Sequence, residues 1–233
     1  ASKVDKLICV SSLTIDRFRE WSGLPEGKEY ILPNCVNLTE FSSGEKPRYL
    51  LDRLNLHNKK ILLTLGRLDS FERKKGFDEV LDTLPSLLEE NQNIHYVIVG
   101  DGPDKHRLQD KAKLLKVDQY VTFAGMIPEQ EKADFYRLAD AFVMPSQGEG
   151  FGIVLLEAMA SGIPVMASKL DGSSEALRQG KLGQLINPTN ANEVKDGILQ
   201  TLAKPKQIPD GLDYFSKPSF NQRVHDLLSQ LLV

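Results

Sequence analysis

Short apolar runs alternate along the chain with longer segments in which apolar positions recur every three or four residues. The short runs indicate buried strands, and the longer amphipathic segments indicate helices. The predicted strands are KLICVS (6–11), KILLTLG (60–66), HYVIVG (95–100), YVTFAG (120–125), AFVMPS (141–146), PVMAS (164–168) and GQLINP (183–188). The predicted helices are 12–21, 46–55, 76–91, 103–116, 128–139, 152–161, 173–179, 191–203 and 219–232. Because strands and helices alternate without a break from residue 60, we predict an α/β fold with a Rossmann-like, doubly wound parallel sheet.

The first part of the chain differs from this regular alternation. Residues 1–32 contain one βα unit and the short run EYILP, and the turn-rich stretch PNCVNLTEFSSGEK begins at residue 33. Clusters of Pro, Asn, Ser and Gly are typical of boundaries and linkers. We therefore predict a main domain over residues 33–215, followed by a C-terminal helix within 216–233.

Composition and charge narrow the class of protein. With 233 residues, 41% hydrophobic and 26% charged, the chain has the composition of an ordinary globular protein. A net charge of −3 argues against a general nucleic-acid binder, which needs many basic contacts. Apolar runs such as IVLLEAMA are too short to span a membrane, and no signal-peptide pattern opens the chain. Cys9 and Cys35 fit a reducing compartment better than a disulfide framework, so we expect a cytoplasmic location; the alternative is a single bridge between them.

The loop QGEGFGIV, residues 147–154, carries the strongest chemical signal. In doubly wound sheets, ligands bind outside the carboxyl ends of the strands, and this loop follows the predicted strand 141–146. Gly150 and Gly152 stand where a helix begins, and the unpaired N–H groups there form an anion site. The alternative is a tight strand-to-helix turn that binds nothing.

Two glutamates flank that helix entry. Glu157 lies in an apolar helix, roughly 8 Å along the axis from its start. A carboxylate at that distance from a bound phosphate could accept hydrogen bonds from both hydroxyls of a ribose, which would explain how a buried Glu is satisfied. Glu149, in the loop, would face whatever hangs from the far phosphate. The alternative for Glu157 is a charge on a solvated helix face.

A second loop, GRLDSFERKKGF, adds positive charge. Arg67 directly follows the strand-end Gly66, and Lys75 precedes the next helix. An Arg fork and a Lys point charge can neutralise a diphosphate without a metal, and no Asp-x-Asp pair stands at a strand end to bind one. The alternative is an ordinary solvated basic loop.

These motifs resemble the C-terminal, donor-binding domain of GT-B retaining glycosyltransferases of the family-4 type, glycosyl transferases group 1. The resemblance is carried by GRL (66–68) with KG (75–76), VGDGP (99–103), FAG (123–125), YRLAD (136–140), PSQGEGFGIVLLEAMASGIPV (145–165) and the GxLINP of 183–188. It covers about residues 30–200, and its most specific element is the E-x7-E pattern from Glu149 to Glu157.

The resemblance implies transfer of a sugar from a nucleotide-sugar donor with retention of configuration. UDP-glucose is the first expectation for the donor, and a saccharide or a lipid-linked molecule for the acceptor. By the family pattern, Arg67 and Lys75 clamp the diphosphate, Glu157 binds the ribose and Glu149 contacts the donor sugar. Catalytic roles are thereby implied for Glu149, Arg67 and Lys75, with no metal cofactor. The backbone implied to contact the sugar, the phosphates and the base is that of Gly66, Gly150, Phe151, Gly152, Ile153 and Val154, with Met126 and Ile127 at the base.

Some features depart from the family pattern. The interval from Arg67 to Lys75 is longer than the commonest one, so Lys74 or Arg73 could share the role of Lys75. Asp171 stands where the family often has Gly. The family's N-terminal, acceptor-binding domain is expected to be missing except for its last βα unit, so any peripheral membrane contact would be made by that half, and we expect the chain alone to be weakly active or inactive.

Two other functions remain open. One is a non-catalytic nucleotide-binding module on the same fold. The other is a glycoside hydrolase, which also uses two carboxylates, although both glutamates here belong to one helix and its entry loop. A dehydrogenase is disfavoured because no G-x-G-x-x-G follows the first strand.

Overall fold

A computed structural model describes residues 4–71 and 73–231. The strands are β1 (Leu7–Cys9), β2 (Glu29–Ile31), β3 (Lys60–Leu65), β4 (Ile94–Val99), β5 (Val121–Gly125), β6 (Ala141–Met144), β7 (Val165–Ser168) and β8 (Gln184–Ile186). The helices are α1 (Ser12–Ser22), α2 (Arg48–Leu54), α3 (Phe77–Glu90), α4 (Lys105–Leu114), α5 (Lys132–Leu138), α6 (Ile153–Ala160), α7 (Ser173–Ala176), α8 (Ala191–Leu202) and α9 (Lys217–Leu231). Short 3₁₀ helices occupy Asp118–Tyr120, Glu129–Glu131 and Leu212–Phe215.

The main sheet has six strands in the order β5-β4-β3-β6-β7-β8, and every pairing in it is parallel. The strand order reverses between β3 and β6, where Leu62 is in register with Ala141. This reversal is the topological switch point, and in open α/β sheets ligands bind outside the strand ends there. The predicted Rossmann-like, doubly wound fold is confirmed.

Both faces of this sheet are buried, which explains the continuous apolar runs of its strands. In β3, Ile61 and Leu63 pack into one apolar cluster and Leu62 into the other, and all three are fully buried. Helix α6 lies in the first cluster, with Leu155 and Leu156 fully buried, whereas α3 and α8 lie in the second. The core therefore holds the start of α6 firmly against the sheet.

Two predicted helices are shorter than expected. The segment 128–139 divides into the 3₁₀ helix Glu129–Glu131 and α5. The segment 173–179 ends at Ala176, because Arg178 and Gln179 have φ of 46° and 56° in the left-handed region. The other predicted helices and strands are confirmed to within two or three residues at their described ends; residue 232, the predicted end of the last helix, lies outside the described residues.

Residues before the predicted boundary form a separate small unit. β1 and β2 make a two-stranded parallel sheet, and α1 begins with a capping box in which Ser11 accepts from the N–H of Thr14. Ser11 Oγ also donates to the carbonyl of Gly150 at 2.6 Å, while the N–H and Oγ of Ser12 donate to Glu175 Oε1 at 2.7 and 2.8 Å. This unit is therefore fastened to the loop before α6, although the domain limits 1–32, 33–215 and 216–233 stay predictions.

At the other end of the main domain, the chain returns to the linker. Val36 and Ser216 form an isolated parallel bridge, and the N–H of Val36 donates to the carbonyl of Phe215 at 2.9 Å. Helix α9 follows directly. In the part of the chain that the structure describes, no helix has both the length and the apolar character needed to cross a membrane.

Candidate functional site

The two loops predicted to carry the chemistry meet at the switch point. Gly66 and Arg67 follow β3, and residues 145–152 follow β6 and lead into α6. Gly76, at the start of α3, has φ of 88°, and a Cβ there would lie only 2.7 Å from the ring of Pro145. The loop after β3 therefore packs directly on the loop after β6, and only glycine allows this approach.

Two adjoining cavities open beside these loops. The first, of about 410 Å³, is bounded by the ends of β3 and β4 and includes Met126, Ile127 and Lys132. The second, of about 460 Å³, includes Lys75, Glu149 and residues 150–154. Leu65, Gly66 and Arg67 line both. A ligand with two linked halves could therefore occupy both cavities and pass over Gly66.

The entry of α6 forms one wall of the second cavity. Gly152 has φ of 89°, and the helix begins at Ile153. The first N–H groups of a helix lack intrahelical acceptors and carry positive partial charge, so this wall suits an anion. The Phe151 side chain is buried against Phe215, with ring centroids 5.7 Å apart, so its contribution to the cavity comes from the backbone.

Glu149 lines the second cavity next to this wall, and its carboxylate is already engaged. Its Oε2 accepts from Lys75 Nζ, and its Oε1 accepts from the N–H of Gly150 at 3.1 Å. The Glu149 side chain is 15% exposed and the Lys75 side chain 38% exposed. Lys75, predicted to bind the diphosphate, and Glu149, predicted to contact the sugar, thus form an ion pair that lines the cavity.

Glu157 has a different environment from the one expected. Its side chain is 8% exposed and lines neither cavity; Oε1 accepts from Lys132 Nζ at 2.8 Å and Oε2 from Tyr136 Oη at 2.7 Å. A ribose was the partner expected for this buried carboxylate, but two side chains of α5 already satisfy it, and the ribose contact stays a prediction. Each carboxylate oxygen keeps a second lone pair that could accept from a ligand.

Glu157, Lys132 and Tyr136 form a hydrogen-bonded triad, and burial and the Glu157 carboxylate together set the pKa values of the other two. Burial disfavours the charged form of Lys132, but the hydrogen bond and charge of Glu157 outweigh it and raise the pKa of Lys132. Burial, with the charge of Glu157, raises the pKa of Tyr136 well above its usual range. Lys132 therefore stays cationic and Tyr136 stays protonated as a donor. Lys132 also lines the first cavity, so Glu157 is connected to that cavity by its hydrogen bond with Lys132.

The basic loop divides its charges between two places. Arg67 lines both cavities, is 72% exposed and pairs with Asp69 at 3.1 Å. Arg73 instead pairs with the buried Asp104 at 3.1 Å. Lys74 is exposed, and its aliphatic stem lies beside Gly148. The structure thus brings Arg67 and Lys75 to one cavity and leaves Arg73 and Lys74 outside it.

The residues expected at the base, Met126 and Ile127, both line the first cavity. Met126 is 77% exposed, whereas Ile127 packs against the apolar core. Ile153 is 45% exposed at the mouth of the second cavity. Every predicted site residue except Glu157 therefore lines one of the two cavities.

Sequence reasoning missed three residues that organise the site. Lys132 and Tyr136 are four positions apart on α5, a spacing that places both on one helix face toward Glu157. Asp171 was noted only as a departure from the family pattern, yet it holds the loop 147–150 by several hydrogen bonds. The four-residue spacing could have pointed to Lys132 and Tyr136, whereas no local sequence pattern predicts the contacts of Asp171.

Comparison with known proteins identifies the family. The family model "Glycosyl transferases group 1" matches residues 50–211. A phosphatidyl-myo-inositol mannosyltransferase of Mycobacterium leprae is 35% identical over 202 residues, which cover 86% of this chain and 50% of the relative. A GDP-mannose-dependent alpha-(1-6)-phosphatidylinositol monomannoside mannosyltransferase of Mycolicibacterium smegmatis is 31% identical, covering 87% of this chain and 54% of that protein. The chain thus spans about half the length of these curated relatives.

Solved structures share the fold. Anabaena HepE in complex with UDP and glucose superposes with a TM-score of 0.81 at 20% identity, over 97% of this chain and 63% of that one. Sucrose-phosphate synthase from Thermosynechococcus elongatus gives 0.78 at 25% identity, over 98% and 58% of the two chains. The resemblance stated from the sequence motifs is confirmed. On its fold and on these matches, the chain belongs to the glycosyl transferases group 1 family.

Proposed function

We propose that this chain is the donor-binding half of a retaining hexosyltransferase and binds a nucleotide sugar across the two adjoining cavities. The observation that carries the proposal is the placement of Lys75, Glu149 and the α6 entry in the second cavity, with Arg67 on the border shared with the partly apolar first cavity. The first cavity would hold the base and ribose, the helix entry and the two cations the diphosphate, and the second cavity the sugar. Each part of a nucleotide sugar then has a complementary surface.

The residues act by stabilising charge. When the sugar leaves, negative charge grows on the diphosphate, and Arg67, Lys75 and the N–H groups at the start of α6 are aimed at it. In this proposal no metal is required. Because Lys75 also pairs with Glu149, a bound diphosphate would compete for the lysine and free Glu149 to accept from sugar hydroxyls.

The donor is proposed at two levels. A nucleoside diphosphate hexose is supported by the family and by the cavities. UDP-glucose is the donor expected from the family resemblance, and GDP-mannose is the alternative because the Mycolicibacterium relative is named as dependent on it. The acceptor, a saccharide or a lipid-linked molecule, would be bound by sequence beyond the half that this chain shares with its relatives, so we propose weak or no transfer by the chain alone.

The location is also a proposal. Cys9 and Cys35 are free thiols, which supports a reducing compartment such as the cytoplasm.

Calorimetric titration of the 233-residue chain with UDP, GDP and ADP, and with UDP-glucose and GDP-mannose, tests the proposal. We expect one nucleotide to bind with at least tenfold preference and no binding of glucose alone. Failure of all five to bind would refute the donor-site assignment. Turnover of an aryl glycoside by the chain without nucleotide would favour the hydrolase instead. Nucleotide binding without transfer, even after fusion to the N-terminal half of a relative, would favour a non-catalytic module.

Two variants separate the ribose and sugar roles. We expect Glu157→Ala to weaken binding of the bare nucleotide, through the loss of the Lys132 and Tyr136 triad, and Glu149→Ala to weaken mainly the preference for the sugar conjugate. Equal losses of bare nucleotide affinity in both variants would contradict the two assignments.

A further inference from the structure

Asp171 is a buried carboxylate just beyond β7, next to the loop that carries Glu149. It is 5% exposed. Its Oδ2 accepts from Ser146 Oγ at 2.8 Å and from the N–H groups of Gly148 and Glu149 at 3.0 and 2.9 Å, and its Oδ1 accepts from the N–H of Ser173 at 3.0 Å. Four hydrogen bonds from neutral donors thus compensate its burial.

These contacts converge on the backbone of Glu149. While Asp171 accepts from the N–H of Glu149, the N–H of the next residue, Gly172, donates to the carbonyl of Glu149 at 2.9 Å. A Cβ at Gly172 would lie 2.1 Å from the carbonyl oxygen of Gly150, so the two loops are in direct backbone contact. Both polar groups of the Glu149 backbone are therefore held by two consecutive residues of one loop.

The position of Glu149 matters because its side chain is short of other supports. Among the described residues, its carboxylate has two hydrogen-bond partners: the partly exposed Lys75 and the N–H of Gly150 in its own loop. The loop contains Gly148 and Gly150, which restrict the backbone little. Without an external anchor, the direction of Glu149 would vary with the loop, and a hydroxyl acceptor must be placed to within a few tenths of an ångström to discriminate sugars.

We propose that Asp171 is a positioning residue that sets the backbone of Glu149 and thereby the preference of the site for the sugar part of the donor. This inference rests on the proposed function. Asp171 lines neither of the two cavities, so in this proposal it acts through the loop. An amide cannot replace it, since Asn offers one acceptor oxygen and would direct its NH₂ group at either Ser173 N–H or the three donors on the other side.

The test compares calorimetric affinities of the whole 233-residue chain for UDP and UDP-glucose, or for GDP and GDP-mannose if that pair binds. The quantity is the ratio of the dissociation constant of the bare nucleotide to that of its sugar conjugate. We expect Asp171→Asn to lower this ratio by about fivefold to tenfold, as lost hydrogen bonds to a charged group imply, and to change bare nucleotide affinity by less than about twofold. Glu149→Ala should lower the ratio similarly, and the double variant should fall little further because both act through one group.

Asp140→Asn is the matched control. Asp140 is a half-buried carboxylate that accepts from the N–H of Ile61 at 2.7 Å and from Lys46 Nζ at 2.6 Å, at the opposite end of the sheet. Asp140→Asn should lower the stability of the chain without changing the ratio of the two dissociation constants. Should Asp171→Asn not fold, Ser146→Ala removes one donor to the same Oδ2 and should shift the ratio in the same direction by a smaller factor.

The outcomes separate the two proposals. An unchanged ratio in Glu149→Ala, or no binding by the unaltered chain, overturns the proposed function. A lowered ratio in Glu149→Ala with an unchanged ratio in Asp171→Asn, or in Ser146→Ala if only that variant folds, overturns the inference about Asp171 alone. So does full additivity of Asp171→Asn with Glu149→Ala, which would assign the aspartate a purely structural role.

Discussion

At the scale of single residues, the neighbouring lysines Lys74 and Lys75 of the basic loop have different surroundings. Lys75 lines the second cavity and pairs with Glu149, whereas its neighbour Lys74 is exposed outside the cavities. We expect Lys75→Met to weaken binding of the nucleoside diphosphate by about tenfold to a hundredfold, because a charge-assisted contact is lost and Glu149 is left facing the phosphates. Titration calorimetry at constant ionic strength measures the change.

Lys74→Met removes the same charge from the same loop and should change that affinity less than about twofold, since exposed charges are screened. Equal losses in the two variants would mean that the loop acts by its net charge rather than through Lys75.

His95 makes stability depend on pH at a site far from the loops. It lies in β4, is 7% exposed and shares a 2.8 Å hydrogen bond with Thr122 Oγ1. Burial, assisted by the charge of Lys59, lowers its pKa from 6.5 to about 4. The unfolded chain thus binds a proton that the folded chain does not between these values, so stability should fall as pH drops from 6.5 toward 4.

We expect His95 to account for about 2 to 3 kcal/mol of that fall. Urea unfolding at pH 7, 6, 5 and 4 measures it, and His95→Gln should flatten the profile in this window while keeping a partner for Thr122. His106→Gln, at an exposed position, is the matched control. A profile of the same slope in His95→Gln and in the unaltered chain would contradict the assignment.

At the scale of elements, the start of α6 has a left-handed backbone conformation at Gly152 and lines the second cavity. Gly152 has φ of 89°, and a Cβ there would lie 2.8 Å from Leu155 Cδ1. We expect Gly152→Ala to cost about 1 to 3 kcal/mol of stability and to weaken nucleotide binding, because the strain falls on the N–H groups that face the cavity. Chemical unfolding measures the change in stability, and calorimetry measures the change in nucleotide affinity.

Gly27 has the same φ of 89° with no atom within 4 Å of an added Cβ, so Gly27→Ala isolates the backbone cost. It should lower stability by about 1 kcal/mol and leave nucleotide binding unchanged. Binding that survives Gly152→Ala intact would remove the helix entry from the donor site.

The elements were the part of the structure most accessible to sequence reasoning. Strands such as β3 and β4 are buried on both faces and are therefore continuously apolar, and Gly and Pro mark their ends. The convergence of Arg67, Lys75 and Glu149 also followed, because parallel strands bring their carboxyl ends to one edge. The end of α7 did not follow, since the left-handed φ of Arg178 and Gln179 carries no glycine or asparagine signal.

The contacts that complete the site could not be predicted in the same way. The partners of Glu157 lie 21 and 25 residues away in the chain, and those of Asp171 on the 147–150 loop lie 22 and 23 residues away. Periodicity and turn chemistry reveal which face of an element is buried, but they do not reveal which polar side chain of another element meets it. For Glu157 the sequence suggested a ribose as the hydrogen-bond partner and did not reveal Lys132 and Tyr136, which satisfy the carboxylate within the fold.

At the scale of the whole molecule, the unit formed by residues 4–32 is held to the main domain next to the site. Glu175 accepts from both the N–H and Oγ of Ser12, at the first residue of α1. We expect Glu175→Ala to increase amide hydrogen exchange in α1 and proteolytic cleavage in the linker 33–47, because the start of α1 loses its anchor. Hydrogen exchange with mass spectrometry measures the first. Limited digestion with a glutamate-specific protease, which can cut after Glu40 and Glu45 in the linker, measures the second.

Glu193→Ala is the control at this scale. Glu193 also accepts from a backbone N–H, that of Asn187 at 2.9 Å, and from Lys169, but it makes no contact with α1. It should leave exchange in α1 unchanged. Equal protection of α1 in the unaltered chain and in Glu175→Ala would show that Ser11 and its bond to Gly150 hold the unit without Glu175.

The bridge between Val36 and Ser216 places the entrance and the exit of the main domain side by side. A segment whose ends adjoin can be inserted into a surface loop of a host protein without stretching either. Residues 36–216 could therefore be grafted into an unrelated scaffold. They would carry the first cavity and most of the second, whose lining would lose only Val10 and Asn34. Rejoining their ends through a short linker and opening the chain elsewhere would give a circular permutant with the same sheet.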